Sequence, residues 1–167
     1  MQQWQRLSAK NDRDALIAAV LLGARRENDA GPIAGHEVAE KRLAAHFGQD
    51  SLALFALALA CQQQSGTCVP ADAHAALLRV APDNAMHWLL LPNDAAPSAA
   101  QLHAAALAPM SDTRLREITA ILHKTLGGQP APAHVDGVDP HVLAMALLDD
   151  AVGQVELPQF HHVMRMC

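Results

Sequence analysis

Apolar residues recur along most of this chain at helical spacing, and polar or Gly/Pro breaks separate the runs. A short first helix over 1–7 is followed by Ser8 or Asn11 as the expected cap of the next. Residues 12–25 place Leu16, Ile17, Val20, Leu21 and Ala24 at i, i+1, i+4, i+5 and i+8, a stripe suited to a core-facing helix. Arg25 and Arg26 follow, where cations suit the negative end of the helix dipole. After a polar connection over 27–32, a helix is expected over 36–47. It would turn Val38, Leu43 and Phe47 inward and Glu37, Glu40, Lys41 and Arg42 outward, and Gly48 would stop it. Asp50 or Ser51 is the expected cap of a helix over 52–62, which is apolar almost all round and therefore central.

Pro70 suits the first turn of a helix over 71–81. Pro82 closes that helix, Asp83 or Asn84 caps the next, and Pro92 ends it. Trp88 and Leu91, three apart, are expected on one face of this second helix. Helices over 98–107 and 112–126 are separated by Pro109; the latter has Asp112 as cap and Leu115, Ile118, Ile121 and Leu122 inward. Residues 127–139, rich in Gly and Pro, read as a linker. Segments 141–152 and 157–167 read as two last helices. The expectation is an all-α chain of about nine to ten short helices, arranged as an irregular stack of antiparallel hairpins. Residues 1–126 would form the helical repeat region, and 140–167 a C-terminal pair packed on the same domain.

Composition agrees with the periodicity. The chain of 167 residues is 51% hydrophobic but only 3% aromatic, with no tyrosine, so the residue types that strands favour are sparse. That length suits one domain with a sizeable core. Twelve Lys and Arg are scattered against 17 Asp and Glu, for a net charge of −5, and no cationic face for nucleic acid or an anionic membrane emerges. The longest apolar run, 52–61, is too short to span a bilayer.

A gapless overlay at an offset of 34 residues aligns 43–52 with 77–86. In each copy an apolar helix ends at Gly48 or Pro82, two polar residues follow, and an apolar helix restarts. Pro82-Asp83-Asn84-Ala85, with Trp88 and Leu91 spaced as a first-helix Trp and Leu, resembles a tetratricopeptide repeat junction. The resemblance covers about one and a half repeats. Residues 71–81 depart from it, with His74 where a large aromatic is common, and no third copy follows Leu91. A tetratricopeptide-like superhelix implies a concave surface that binds a peptide or protein. The competing architecture is an ordinary α-bundle with one familiar turn.

Candidate chemistry is thin. Cys61 and Cys68 bracket CQQQSGTC, in which Gly66 makes a closing turn feasible; a disulfide, two buried thiols and a metal role all remain open. No CxxC or Cys/His quartet accompanies the pair, and Cys167 is left over. His36-Glu37-Val38-Ala39-Glu40 echoes a zinc-protease helix, but Glu40 stands where the second imidazole belongs. His161, His162, Met164, Met166 and Cys167 gather soft ligands, yet read more simply as an amphipathic tail. No nucleophile elbow, P-loop or dinucleotide glycine pattern is found, and single histidines such as His74, His87, His103 and His123 fall within helices.

No catalytic residue, metal site or cofactor is therefore expected, and binding residues are not assigned. Pro82, Asn84, Trp88 and Leu91 are expected to be structural. The reading is a non-catalytic module that binds a protein or peptide, with no nucleic-acid partner and no membrane insertion; homo-oligomerisation stays open. The alternatives are an inhibitor or immunity-type protein acting on a toxin, and an α-helical hydrolase without a recognisable motif. Residues 1–4 lack the order of a signal peptide. A Cys61–Cys68 disulfide would favour a periplasmic or secreted mature chain, and free thiols a cytoplasmic one.

Overall fold

The computed structural model describes residues 6–24, 35–63, 72–91 and 97–127. The linker proposed at 127–139 and the helical pair at 140–167 lie outside these residues, save Gly127. So do Cys68, Cys167, Arg25, Arg26, Pro92 and the His161/His162 tail.

After a helical stretch at 6–8, the elements are α1 (Arg13–Gly23), α2 (His36–Phe47), α3 (Ser51–Gln63), α4 (Ala73–Val80), α5 (Ala85–Leu89), α6 (Ala99–Leu107) and α7 (Leu115–Gly127). The protein is all-α. Among the described residues the one β-type contact is an isolated parallel bridge between Asn84 and Met110.

The core is built on α1 and α3. Every residue from Leu52 to Cys61 is at most 5% exposed, as an all-round apolar helix requires. α3 meets α1, α2 and α4, while α1 meets α2, α3 and α7. That is why α1 buries the whole run Ala15–Leu21, where a single stripe was expected: it has neighbours on several sides. Full burial of a leucine such as Leu16, Leu57 or Leu59 stabilises the fold by roughly 1.5–3 kcal/mol. Further along the chain, α4 packs on α5 and α5 on α6. The fold then returns on itself, because α7 lies against α1 rather than against its neighbour in sequence.

Several helix ends follow from side-chain acceptors. Asp12, not Ser8 or Asn11, caps α1 through the N–H of Ala15 at 3.0 Å. Asp50 caps α3, accepting from Leu52 N–H at 3.0 Å and Ala53 N–H at 2.9 Å. Asn84 caps α5. Ser98 and Gln101 form a reciprocal capping box on α6. α2 does end before Gly48, but with φ −67° rather than in the left-handed region. Glycine is needed there for space, since a Cβ would lie 2.6 Å from the carbonyl oxygen of Ala44.

Two expectations about helix faces are corrected. On α2, Glu40 is buried at 1% exposure and Val38 is 55% exposed, the reverse of the expected arrangement. Val38 and Leu43 are five residues apart, about 140° around a helix, so they cannot share an inward face. The stripe that is buried is His36, Ala39, Glu40 and Leu43. At the far junction α5 ends at Leu89, with Leu90 out of helical geometry (ψ 79°), so Leu91 does not share a helix face with Trp88. Leu91 is nevertheless buried.

The 34-residue offset recurs in the burial pattern. From 39 to 46 and from 73 to 80 the sequence of buried, half-buried and exposed positions is the same except at Glu40 and His74. The inward pairs are Ala39/Ala73 and Leu43/Leu77; the outward ones are Lys41/Ala75, Ala45/Arg79 and His46/Val80. The caps Asp50 and Asn84, and the helix starts Ser51 and Ala85, keep the same register. After that the copies diverge, since α3 runs to Gln63 and α5 stops at Leu89.

Candidate functional site

A polar cluster lies at the α4–α5 junction. Pro82 follows the last turn of α4, and Asn84, 1% exposed, enters α5 in extended geometry (φ −106°, ψ 116°). Its Oδ1 accepts from the N–H of Met86 at 3.1 Å and of Asp112 at 3.0 Å. Its Nδ2 donates to the carbonyl of Asp112 at 2.8 Å and faces His87 Nε2 at 3.2 Å. His87, equally buried, has Nδ1 2.8 Å from the carbonyl oxygen of Ala81. Its ring is tilted against Phe55 of α3, with centroids 5.7 Å apart. His74 Nε2 reaches the His87 carbonyl at 2.8 Å, and Trp88 donates its indole N–H to the carbonyl of Pro82 at 2.7 Å. Trp88 is half-buried, holding the turn at its rim.

The loop between α6 and α7 is what this junction grips. Met110 donates its N–H to the Asp83 carbonyl at 3.1 Å and accepts from Ala85 N–H at 2.8 Å. Asp112 does not cap α7 as expected; its Oδ1 accepts from Arg114 N–H at 2.9 Å, and the helix starts only at Leu115. Arg114 takes a positive φ of 55°, a conformation that costs a non-glycine residue energy. Its guanidinium then reaches Ser51 Oγ at 3.2 Å and Glu117 at 2.6 Å. One loop thus touches both junctions, Asn84 through Asp112 and the α2–α3 junction through Ser51.

A second cluster joins the start of α1 to the rest. Arg13 donates to Asp14 Oδ1 at 3.0 Å and to Asp50 Oδ2 at 3.0 Å, and Lys124 of α7 reaches Asp14 Oδ2 at 2.8 Å. Burial alone would raise the Asp14 carboxyl, but the bonds from Lys124 and Arg13 outweigh it and hold the group below its ordinary value. On α2, Arg42 is half-buried and binds the carbonyls of Ser8 and Ala9 and the Asn11 side chain, so it is not simply an outward charge. His36 and Glu40 form a buried i,i+4 pair with 3.7 Å between Nε2 and Oε1.

Among the described residues no group of three or more His, Cys, Asp or Glu side chains is placed to hold a metal ion. Nor, among them, is any helix long and apolar enough to cross a membrane. Cys61 sits buried at the end of α3. Cys68 is outside the described residues, so the Cys61–Cys68 pairing is carried forward as a proposal.

Of the residues singled out in the sequence, the structure gathers Pro82, Asn84 and Trp88 into one turn and leaves Leu91 beyond it. Sequence reasoning missed Met110 and Asp112 as partners of that turn, Arg114 as the partner of Ser51, and Lys124 as the partner of Asp14. These contacts span 25 (Ala85 to Met110) to 110 residues and leave no local spacing signal. No family model, curated protein or solved structure matches this chain.

Proposed function

We propose that the protein is a non-catalytic binding module that presents tetratricopeptide-like hairpins to a peptide or protein segment. The supporting observation is the recurrence, 34 residues apart, of the same outward positions on α2 and α4: Lys41 and Ala75, Ala45 and Arg79, His46 and Val80. In helical repeats, equivalent exposed positions recur along the stack, and those on its concave side form the extended binding surface. The large polar interior groups serve the fold: Asn84, His87 and Asp14 are all partnered within the chain.

The test uses the full chain immobilised against a random peptide library, followed by crosslinking of the enriched peptides. Crosslinks on the outward positions of α2 and α4 are expected, with binding lost in a Lys41→Glu, Arg79→Glu double variant that keeps its helical circular dichroism. Crosslinks confined to other surfaces, or undiminished binding by the variant, refute the proposal.

A second reading, an α-helical hydrolase, draws on the His36–Glu40 pair. Both residues are buried, at 7% and 1% exposure, so a substrate would need a rearrangement to reach them. Turnover of a generic ester, lost in His36→Gln with folding retained, would favour that reading. The Cys61–Cys68 pairing is tested separately, by mapping the disulfide-linked peptide after proteolysis without reduction.

A further inference from the structure

We infer that the Asn84–His87 pair is an acid-released latch: a neutral imidazole holds the 108–114 loop against the α4–α5 junction, and protonation of His87 frees that loop. The inference rests on hydrogen-bond polarity. The Ala81 carbonyl can only accept, so His87 Nδ1, 2.8 Å away, carries the proton. The Asn84 amide nitrogen can only donate, so His87 Nε2, 3.2 Å away, offers its lone pair. The amide is not free to turn over and accommodate a second ring proton. Its oxygen already accepts from the N–H groups of Met86 and Asp112, and its nitrogen donates to the Asp112 carbonyl. A flip would set two backbone N–H donors against an NH2 group and an amide oxygen against a carbonyl. Backbone groups therefore fix the amide, and the amide together with Ala81 fixes the imidazole as the neutral Nδ1–H tautomer.

A proton placed on Nε2 points at an N–H donor inside a buried site. The same asparagine that must yield is the one holding Asp112 by both its N–H and its C=O, so the cost falls on the loop. The charged and titratable groups around His87 are few. His74 on α4 binds its carbonyl, Asp83 lies in the junction, and Asp112 and Arg114 lie in the loop. α3 offers the Phe55 ring, and α6, packed on α5, bears as its sole titratable side chain His103, which is exposed. Burial, joined by the Arg114 charge, outweighs the Ala81 bond and the two aspartates and holds His87 below its ordinary value of 6.5. With the folded value depressed, the latch is fully held above 6.5 and is lost as pH falls through the folded value.

The experiment is NMR on the intact chain. Nitrogen shifts of His87 report the tautomer, and amide hydrogen exchange, corrected for intrinsic pH dependence, is followed between roughly pH 7.5 and 4.5. Expected are an Nδ1–H tautomer and protection at Ala85, Met110 and Asp112 that drops by up to about tenfold per pH unit as pH falls from 6.5 towards the folded His87 value. Val20 in α1 should hold its protection over that range, and His87→Gln should abolish the acid-dependent step. An Nε2–H tautomer, an unchanged profile at Asp112, or simultaneous loss at Val20 by global unfolding would overturn the latch.

Discussion

Asp50 offers the sharpest test of how the hairpins are held, because one carboxylate performs two separable tasks. Oδ1 accepts the N–H groups of Leu52 and Ala53 at the start of α3, and Oδ2 accepts from Arg13. Losing a helix cap costs about 0.5–2 kcal/mol. The ion pair joins side chains that are 40% and 30% exposed, so solvent screening limits it to roughly 0–1 kcal/mol. Asp50→Ala should therefore destabilise by about 0.5–3 kcal/mol. Asp50→Asn keeps the capping oxygen and should cost less than about 1 kcal/mol, since Arg13 retains Asp14. Asparagine already does this job at the equivalent position, Asn84.

Urea unfolding followed by circular dichroism measures both variants, and the comparison at low pH adds an internal control. Burial pushes the Asp50 carboxyl up, but the Ala53 and Leu52 N–H groups and Arg13 outweigh it and hold it below 3.8. A carboxyl depressed in the folded state contributes its stability above the unfolded value and loses it as pH falls through the folded one. The gap between wild type and Asp50→Ala should narrow below about pH 3.8. If Asp50→Asn proves as damaging as Asp50→Ala, or if Asp50→Ala costs less than about 0.5 kcal/mol, the capping argument is wrong.

Two further outcomes follow from burial and space. Phe55→Ala removes a ring 1% exposed between α3 and His87 and should cost about 3–5 kcal/mol in denaturant unfolding, whereas Val38→Ala, on the open face of α2, should stay within about 0.5 kcal/mol. Gly48→Ala should destabilise by about 1–3 kcal/mol although its φ of −67° is ordinary, because the new methyl would press on the Ala44 carbonyl; a rise in melting temperature would contradict this.

The extent of α2, the central place of the apolar α3 and the capping role of Asn84 were legible in the sequence, because each depends on neighbours within about one helical turn. The faces of α2 were misread where a charged residue turned out to be buried: Glu40 pairs with His36 inside the protein, and hydropathy counts it as surface. The end of α5 was overrun because Leu90 and Leu91 continue an apolar run that tertiary contact, not helix geometry, buries. The 108–114 loop was the largest omission. Its importance lies in backbone groups meeting Asn84 and in Arg114 reaching Ser51, and backbone hydrogen bonding to a distant turn has no residue-type signature.

The return of α7 onto α1 limits how this architecture can grow. In an open array a further hairpin is added by duplication, and existing contacts survive because each unit touches only its neighbours. Here an extra hairpin after α5 would push α6 and α7 along by about 8–10 Å for each helix inserted. That displacement would draw Lys124 away from Asp14 and the loop away from Ser51. With α7 held on α1, the protein can diversify by substitution on its outward positions, but lengthening by another copy would require that contact to be broken first.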